Sequence, residues 1–229
     1  MSLYPVYLDI RDQLCLVIGG GKVARRKVES LIPCGALVRL VSPEVDEALA
    51  DLAASGRVDW QQRNYAPGDL QGAKLVFAAT DNDEIQEQVV REANELAIPV
   101  NVITNPDACT FQVPASFNRG DLLISVATGG KSPALAARIR KELEKIYGAE
   151  YAVLTELLGD VRGKVLALSD RQEEHKGIFE RMLDDDILWC VKGRKWDDLQ
   201  DLLQDILPAA IDVPALVKGA RDRGMKEMA

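Results

Sequence analysis

Leu14-Cys-Leu-Val-Ile-Gly-Gly-Gly-Lys-Val-Ala-Arg-Arg-Lys27 is a short apolar run that ends in glycines and passes into a helix-like pattern. The i, i+4 series Val23, Lys27, Leu31 continues that pattern, so the segment reads as strand, tight turn and helix. Gly19 permits the turn, Gly21 lets the backbone approach phosphates, and Ala24 in the third small position lets the helix pack close to the strand. The helix start, from Lys22 and Val23 onward, then offers free N–H groups and a partial positive charge to a diphosphate. A glycine-rich turn in some other α/β domain would share the G-x-G-x-x-A spacing. Its position after an apolar strand and before a helix points to dinucleotide binding.

Outward from this turn, strand-like and helix-like segments alternate from Tyr4 to about Val113. Strands are expected at Leu14 to Ile18, Leu37 to Val41, Val58 to Gln61, Leu75 to Ala79 and Val100 to Ile103. Helices are expected at Val23 to Leu31, Pro43 to Ala54 and Glu84 to Leu96. Short buried strands separated by helices imply an α/β, Rossmann-type parallel sheet with its ligand crevice at the strand C-termini. Gly19 to Gly21, Ser42, Thr80 to Asn82, and Thr104 with Asn105 all fall at such ends.

After Pro114 the alternation stops. A further strand is expected at Leu122 to Ala127, then Thr-Gly-Gly-Lys-Ser-Pro133 and a long helix from Ala134 to Tyr147. Ser132 suits the N-cap and Pro133 the first helical position. From Tyr151 the pattern is helical, with breaks near Asp184, Gly193 and Pro208. The expected organisation is a dinucleotide-binding domain over residues 1–113, a central segment over 114–150 and a small helical domain over 151–229.

The 229 residues, 47% of them hydrophobic, suffice for a packed core, and the net charge of −8 argues against a nucleic-acid or anionic-membrane surface. Four scattered cysteines without C-x-x-C spacing fit a reducing compartment and no structural zinc. No apolar run approaches the ~20 residues of a membrane span, so a cytoplasmic protein is expected. The single histidine, His175, sits in a polar run and reads as a solvated helix residue. Its isolation speaks against Ser-His-Asp hydrolysis and multi-histidine metal sites.

An acidic residue that holds the adenosine ribose should close the second strand about 20 residues beyond the glycines. That tip is Ser42-Pro43, followed by Glu44, so the contact falls either to a hydroxyl with backbone groups or to Glu44. The choice between NAD and NADP stays open. Ala78-Ala79-Thr80-Asp81 ends the next long strand, where small residues would let a nicotinamide lie across the sheet edge. A plain strand followed by an Asp-capped helix accounts for the same spacing. Arg119, Lys131, Arg138, Arg140 and Lys141 form a basic stretch in an acidic chain. Lys131 and the helix start after Ser132 could receive carboxylates of an anionic substrate, while the three later cations suit a solvated face.

Taken together, Tyr4-Pro5-Val6, Val17-Ile-Gly-Gly-Gly-Lys-Val-Ala-Arg-Arg-Lys27, Ala78-Ala-Thr-Asp81, Asn101-Val-Ile103, Phe111-Gln-Val-Pro-Ala115 and Ser125-Val-Ala-Thr-Gly-Gly-Lys-Ser-Pro-Ala-Leu-Ala136 resemble the precorrin-2 dehydrogenase family. That family is the NAD-dependent module of sirohaem synthases and in some members is also a sirohydrochlorin ferrochelatase. The chain is similar to its stand-alone form. The resemblance implies a homodimer made through the central segment, a helical domain that helps cover the tetrapyrrole, and hydride transfer from precorrin-2 to NAD+. It also implies substrate contacts for Asn105, Thr128, Lys131 and Ser132.

One departure stands out. The family commonly carries an aspartate directly after Asn-Val-Val, thought to serve both dehydrogenation and metal insertion. This chain has Asn101-Val-Ile-Thr104-Asn105-Pro106-Asp107, with Thr104 at the matching position. A threonine hydroxyl can hydrogen-bond but cannot act as a carboxylate base near neutral pH. Asp107 would substitute if the loop turned back at Pro106. Otherwise hydride transfer needs only positioning and metal insertion is the activity lost, with Thr104→Asp expected to add it. A non-catalytic tetrapyrrole or nucleotide carrier, or an oxidoreductase with another small substrate, are the alternative readings.

Overall fold

The computed structural model describes residues 3–168 and 172–228. The chain forms two compact units that divide between Val113 and Pro114.

In the first unit, β1 (Leu14–Ile18), β2 (Leu37–Val41), β3 (Asp59–Gln61), β4 (Leu75–Ala78) and β5 (Val100–Val102) make one parallel sheet in the order β3-β2-β1-β4-β5. Strand order reverses between β1 and β4, and in open α/β sheets the ligand crevice lies at such a switch point. Ile18, the last residue of β1, is in register with Val41 on one side and Ala78 on the other, so the crevice opens where three strands end together.

Alternation along β1 divides the core. Cys15 and Val17 face Ala24, Val28 and Leu31 of α1 (Lys22–Leu31) and Leu49 of α2 (Glu47–Ala54). Leu16 and Ile18 face Leu70 and, from α3 (Asp83–Glu95), Val89 and Ala93. Both faces are thus covered, which explains why β4 is buried at all four residues. Truncating a fully buried leucine such as Leu16 to alanine is expected to cost about 2–5 kcal/mol.

The second helix begins at Glu47 rather than Pro43. Residues 42–46 are used otherwise: the Asp46 amide donates to the Gly20 carbonyl at 2.9 Å, and the Asp46 carboxylate caps the helix by accepting from the Leu49 amide at 3.0 Å. β5 stops at Val102, one residue before its expected end.

The second unit opens with a hairpin. Its first strand, β6 (Ala115–Arg119), was not expected from the alternation pattern; it pairs antiparallel with β7 (Leu122–Val126), Arg119 opposite Leu122. Gly120, at φ +55°, makes the two-residue turn with Asp121. Helix α4 (Pro133–Ile146) packs on both strands. The other described elements of this unit are helices: α5 (Glu150–Leu168), α6 (Gln172–Arg181), α7 (Asp185–Lys192), α8 (Trp196–Ile206) and α9 (Val213–Glu227). Val153, Leu157, Val161 and Val165 form one stripe of α5 at helical spacing, buried against Leu216, Val217 and Ala220 of α9. His175 is not solvated. It is 6% exposed and its ring lies 6.3 Å from that of Phe179.

Candidate functional site

The crevice of the first unit is built by close packing of three strand ends. Gly19 has φ +114°, and a Cβ there would stand 2.3 Å from the Ala79 carbonyl oxygen. Only glycine meets both conditions. Gly20, which the motif leaves as its variable position, is equally constrained, because a Cβ on it would stand 1.9 Å from the Glu44 carbonyl oxygen. Gly21 differs: nothing lies within 4 Å of its Cβ position. The first two glycines lock the turn against its neighbours, and the third leaves open space before the helix.

Gly21 is the N-cap of α1, and no side chain caps this helix and no acidic residue occupies its first turn. The other two helices of the unit are closed, α2 by Asp46 and α3 by Asn82, each with acids in its first turn. The N–H groups at the start of α1, around Lys22 and Val23, therefore have no side-chain cap and are open to solvent or to an anion. Lys27, a turn and a half further on, lies 5.2 Å from the centroid of the Phe77 ring, and burial lowers the pKa of its ammonium.

At the end of β2, Ser42 is buried and its hydroxyl is engaged, donating to the Glu44 carbonyl at 2.6 Å. Its own carbonyl accepts from the Trp60 indole N–H at 2.9 Å. The hydroxyl thus braces the turn, and exposed Pro43 and Glu44 are the groups left facing solvent. At the end of β4, Thr80 Oγ1 accepts from the Asn82 amide at 3.3 Å, and Asp81 is exposed. Asn82, not Asp81, caps the following helix.

The end of β5 holds the feature that sequence reading missed. Thr104 Oγ1 donates to Gln86 Oε1 at 2.5 Å, and Gln86 Nε2 donates to the Thr80 carbonyl at 2.5 Å. Gln86, 5% exposed on α3, thereby joins the tips of β4 and β5. The signal was a polar residue at an inward position of an amphipathic helix, between Ile85 and Val89. Asn101 does structural work, its amide donating to the Phe111 carbonyl at 3.1 Å. The loop that follows is held from behind by Cys109, whose sulfur accepts from the Val102 amide at 3.1 Å. Pro106 opens a single 3-10 turn through Ala108, on which Asp107 is exposed. Thr104 and Asn105 share a cleft of about 560 Å³ with Asp83, Glu87 and Arg91 of α3.

In the second unit, Thr128 Oγ1 accepts from the Ser132 amide at 3.1 Å, and Ser132 Oγ accepts from the Leu135 amide at 3.2 Å. Ser132 is therefore the N-cap that the sequence indicated. Gly129 and Gly130, at φ +60° and +78°, bend the chain ahead of it. Lys131 is exposed and makes no ion pair among the described residues, whereas Arg138 and Arg140 pair with Glu142 and Glu144 one turn on. Among the described residues no cluster of histidine, cysteine or carboxylate side chains could hold a metal ion.

Comparison with known proteins agrees with this layout. Residues 6–115 match an NAD(P)-binding family model, and residues 119–146 match the central segment of sirohaem biosynthesis proteins. A sirohaem synthase of Nitrosomonas eutropha is 35% identical over 217 residues, covering 94% of this chain and 46% of that protein. One of Methylobacillus flagellatus is 38% identical over 195 residues, covering 85% and 41%. The chain thus spans less than half the length of these relatives. Among solved structures, SirC, a precorrin-2 dehydrogenase, is similar with a TM-score of 0.73 and 25% identity, over 89% of this chain and 98% of that one. The two matched segments and these relatives make the chain similar to the dinucleotide-binding part of sirohaem synthases and to a precorrin-2 dehydrogenase.

Proposed function

We propose that the chain catalyses the NAD+-dependent oxidation of precorrin-2 to sirohydrochlorin. The observation that carries this reading is the start of α1, uncapped and free of acids, directly after the Gly19–Gly20 turn. Those residues fit a dinucleotide: backbone N–H groups of Gly21, Lys22 and Val23 for the diphosphate, Pro43 and Glu44 for the ribose end, Thr80 and Asp81 for the nicotinamide half. When bound, NAD+ supplies the hydride acceptor, and precorrin-2 loses a hydride and a proton.

The protein groups contribute positioning. Thr104 has its hydroxyl proton committed to Gln86 and brings no carboxylate. Oxidation depends chiefly on holding the donor carbon in place, while metal insertion also requires a base for the pyrrole protons. Dehydrogenation without efficient ferrochelatase activity is the expected profile, with Asp107 the remaining base should iron be inserted. Lys131 receives substrate carboxylates in this reading. The chain works as a cytoplasmic homodimer paired through residues 114–150, where Leu123 and Leu135 are exposed.

The test is purified protein with precorrin-2 and NAD+, followed at the NADH absorbance with and without Fe2+. NADH formation is expected in both. The engaged Thr104 hydroxyl also suits a carrier that binds tetrapyrrole without reaction, and absence of NADH despite binding of both ligands would favour it.

A further inference from the structure

The Gln86 amide has only one workable orientation. Its partner at the end of β4 is the Thr80 carbonyl, which can only accept, so the NH2 group must face Thr80 and the amide oxygen must face position 104. Thr104 meets that oxygen with a hydroxyl proton. An ionised carboxylate has no proton to give, and at this position it would set oxygen against oxygen. Turning the amide over would shift the same conflict to the Thr80 carbonyl. Gln86 is buried on α3, so it cannot turn to water without opening the packing around Ile85 and Val89. The backbone it grips is the one Gly19 touches, since the Gly19 Cβ position lies 2.9 Å from the Thr80 amide nitrogen.

We infer that Gln86 is a positioning residue that fixes the hydrogen-bond polarity at the tip of β5, favouring a donor at position 104 over a charged carboxylate. This rests on the proposed reading for its catalytic meaning. Gln86 then shapes the repertoire of the site, because a carboxyl at exposed position 104 must either keep its proton to meet the amide oxygen or turn from it to solvent. Thr104→Asp alone, expected from sequence to add metal insertion, therefore gives a carboxyl that releases its proton less readily than it would without Gln86.

The experiment titrates that carboxyl by 13C NMR in Thr104→Asp and in Thr104→Asp combined with Gln86→Met, a substitution that keeps side-chain length and removes the acceptor. Asp83, Glu87 and Arg91 of α3 line the same cleft as position 104, Asp107 follows three residues on in the loop, and all four are unchanged between the two proteins, so their influence cancels in the comparison. The midpoint is expected to be higher by about one pH unit or more where Gln86 is retained. Equal midpoints, or a lower one with Gln86, would overturn the inference. Should the aspartate variants fail to fold, a thermal-melting cycle on Thr104→Val decides. The valine is expected to lower the melting temperature in the Gln86 background and to be nearly neutral beside Gln86→Met, with Thr104→Ser behaving as the parent. Additive losses would overturn it equally. Neither measurement uses precorrin-2, so a chain that produced no NADH would refute the proposed function and leave the polarity of the Gln86 pair standing.

Discussion

Gly19 and Ala79 are so close that a single methyl group on the glycine would stand 2.3 Å from the alanine carbonyl oxygen, at a backbone φ of +114°. The β1 turn and the β4 tip therefore form one rigid wall of the crevice. Gly19→Ala is expected to lower stability by about 1–3 kcal/mol from backbone strain alone, and to abolish NAD+ binding because the turn must move. Denaturant unfolding together with calorimetric titration of NAD+ checks both.

Gly21→Asp separates binding from folding. Nothing surrounds the Gly21 Cβ position within 4 Å, so the fold should tolerate the side chain. A carboxylate at the start of α1 would repel the diphosphate, and NAD+ affinity should fall about tenfold or more, equivalent to about 1.4 kcal/mol. Unchanged affinity in a folded variant removes the dinucleotide from this turn.

Lys131→Ala is expected to raise KM for precorrin-2 with little effect on kcat or on NAD+ binding, because it deletes an exposed cation that makes no ion pair among the described residues. Steady-state kinetics with each substrate varied in turn distinguishes this from a surface charge without a role.

The acid limb of stability should depend on Asp69. Two hydrogen bonds from the Arg63 guanidinium, each 2.7 Å, hold its carboxyl below the usual range, and the Ala66 amide adds a third at 2.9 Å. A pKa depressed in the folded state contributes stability above the unfolded value of about 3.9, lost as pH falls through the folded value. Arg63 is substantially exposed, so screening keeps the contribution below about 1 kcal/mol. Asp69→Asn should lower the denaturant midpoint at pH 7 and flatten its decline below pH ~4.

Sequence reading recovered the parallel sheet because its cues are local: apolar runs, glycines at a strand end, small residues spaced for a helix. It missed β6 because Ala115 to Arg119 is a half-buried edge whose partner is its own neighbour across Gly120, and the run alternates weakly. It assigned the ribose contact to Ser42 as one alternative, and the structure shows that hydroxyl spent on the Glu44 carbonyl. Gln86 was overlooked for a different reason. A glutamine on a charged helix reads as surface unless its place on the Val89 and Ala93 stripe is weighed, and the meeting of the β4 and β5 ends supplies its partners. His175 shows the same error, a polar sequence neighbourhood mistaken for a solvated position.

The unclosed first turn of α1 makes the folded chain thermodynamically unfinished by itself. A ligand that completes the turn and binds only the native state adds RT ln(1 + [L]/Kd), about 2.7 kcal/mol at a free concentration one hundred times Kd. Oxidised and reduced dinucleotides carry the same diphosphate, so either would fill the turn and turnover would not loosen the unit. On the proposed reading the melting temperature then follows dinucleotide supply in either redox form, and depletion of the pool lowers stability with the logarithm of its concentration while the site is still largely filled.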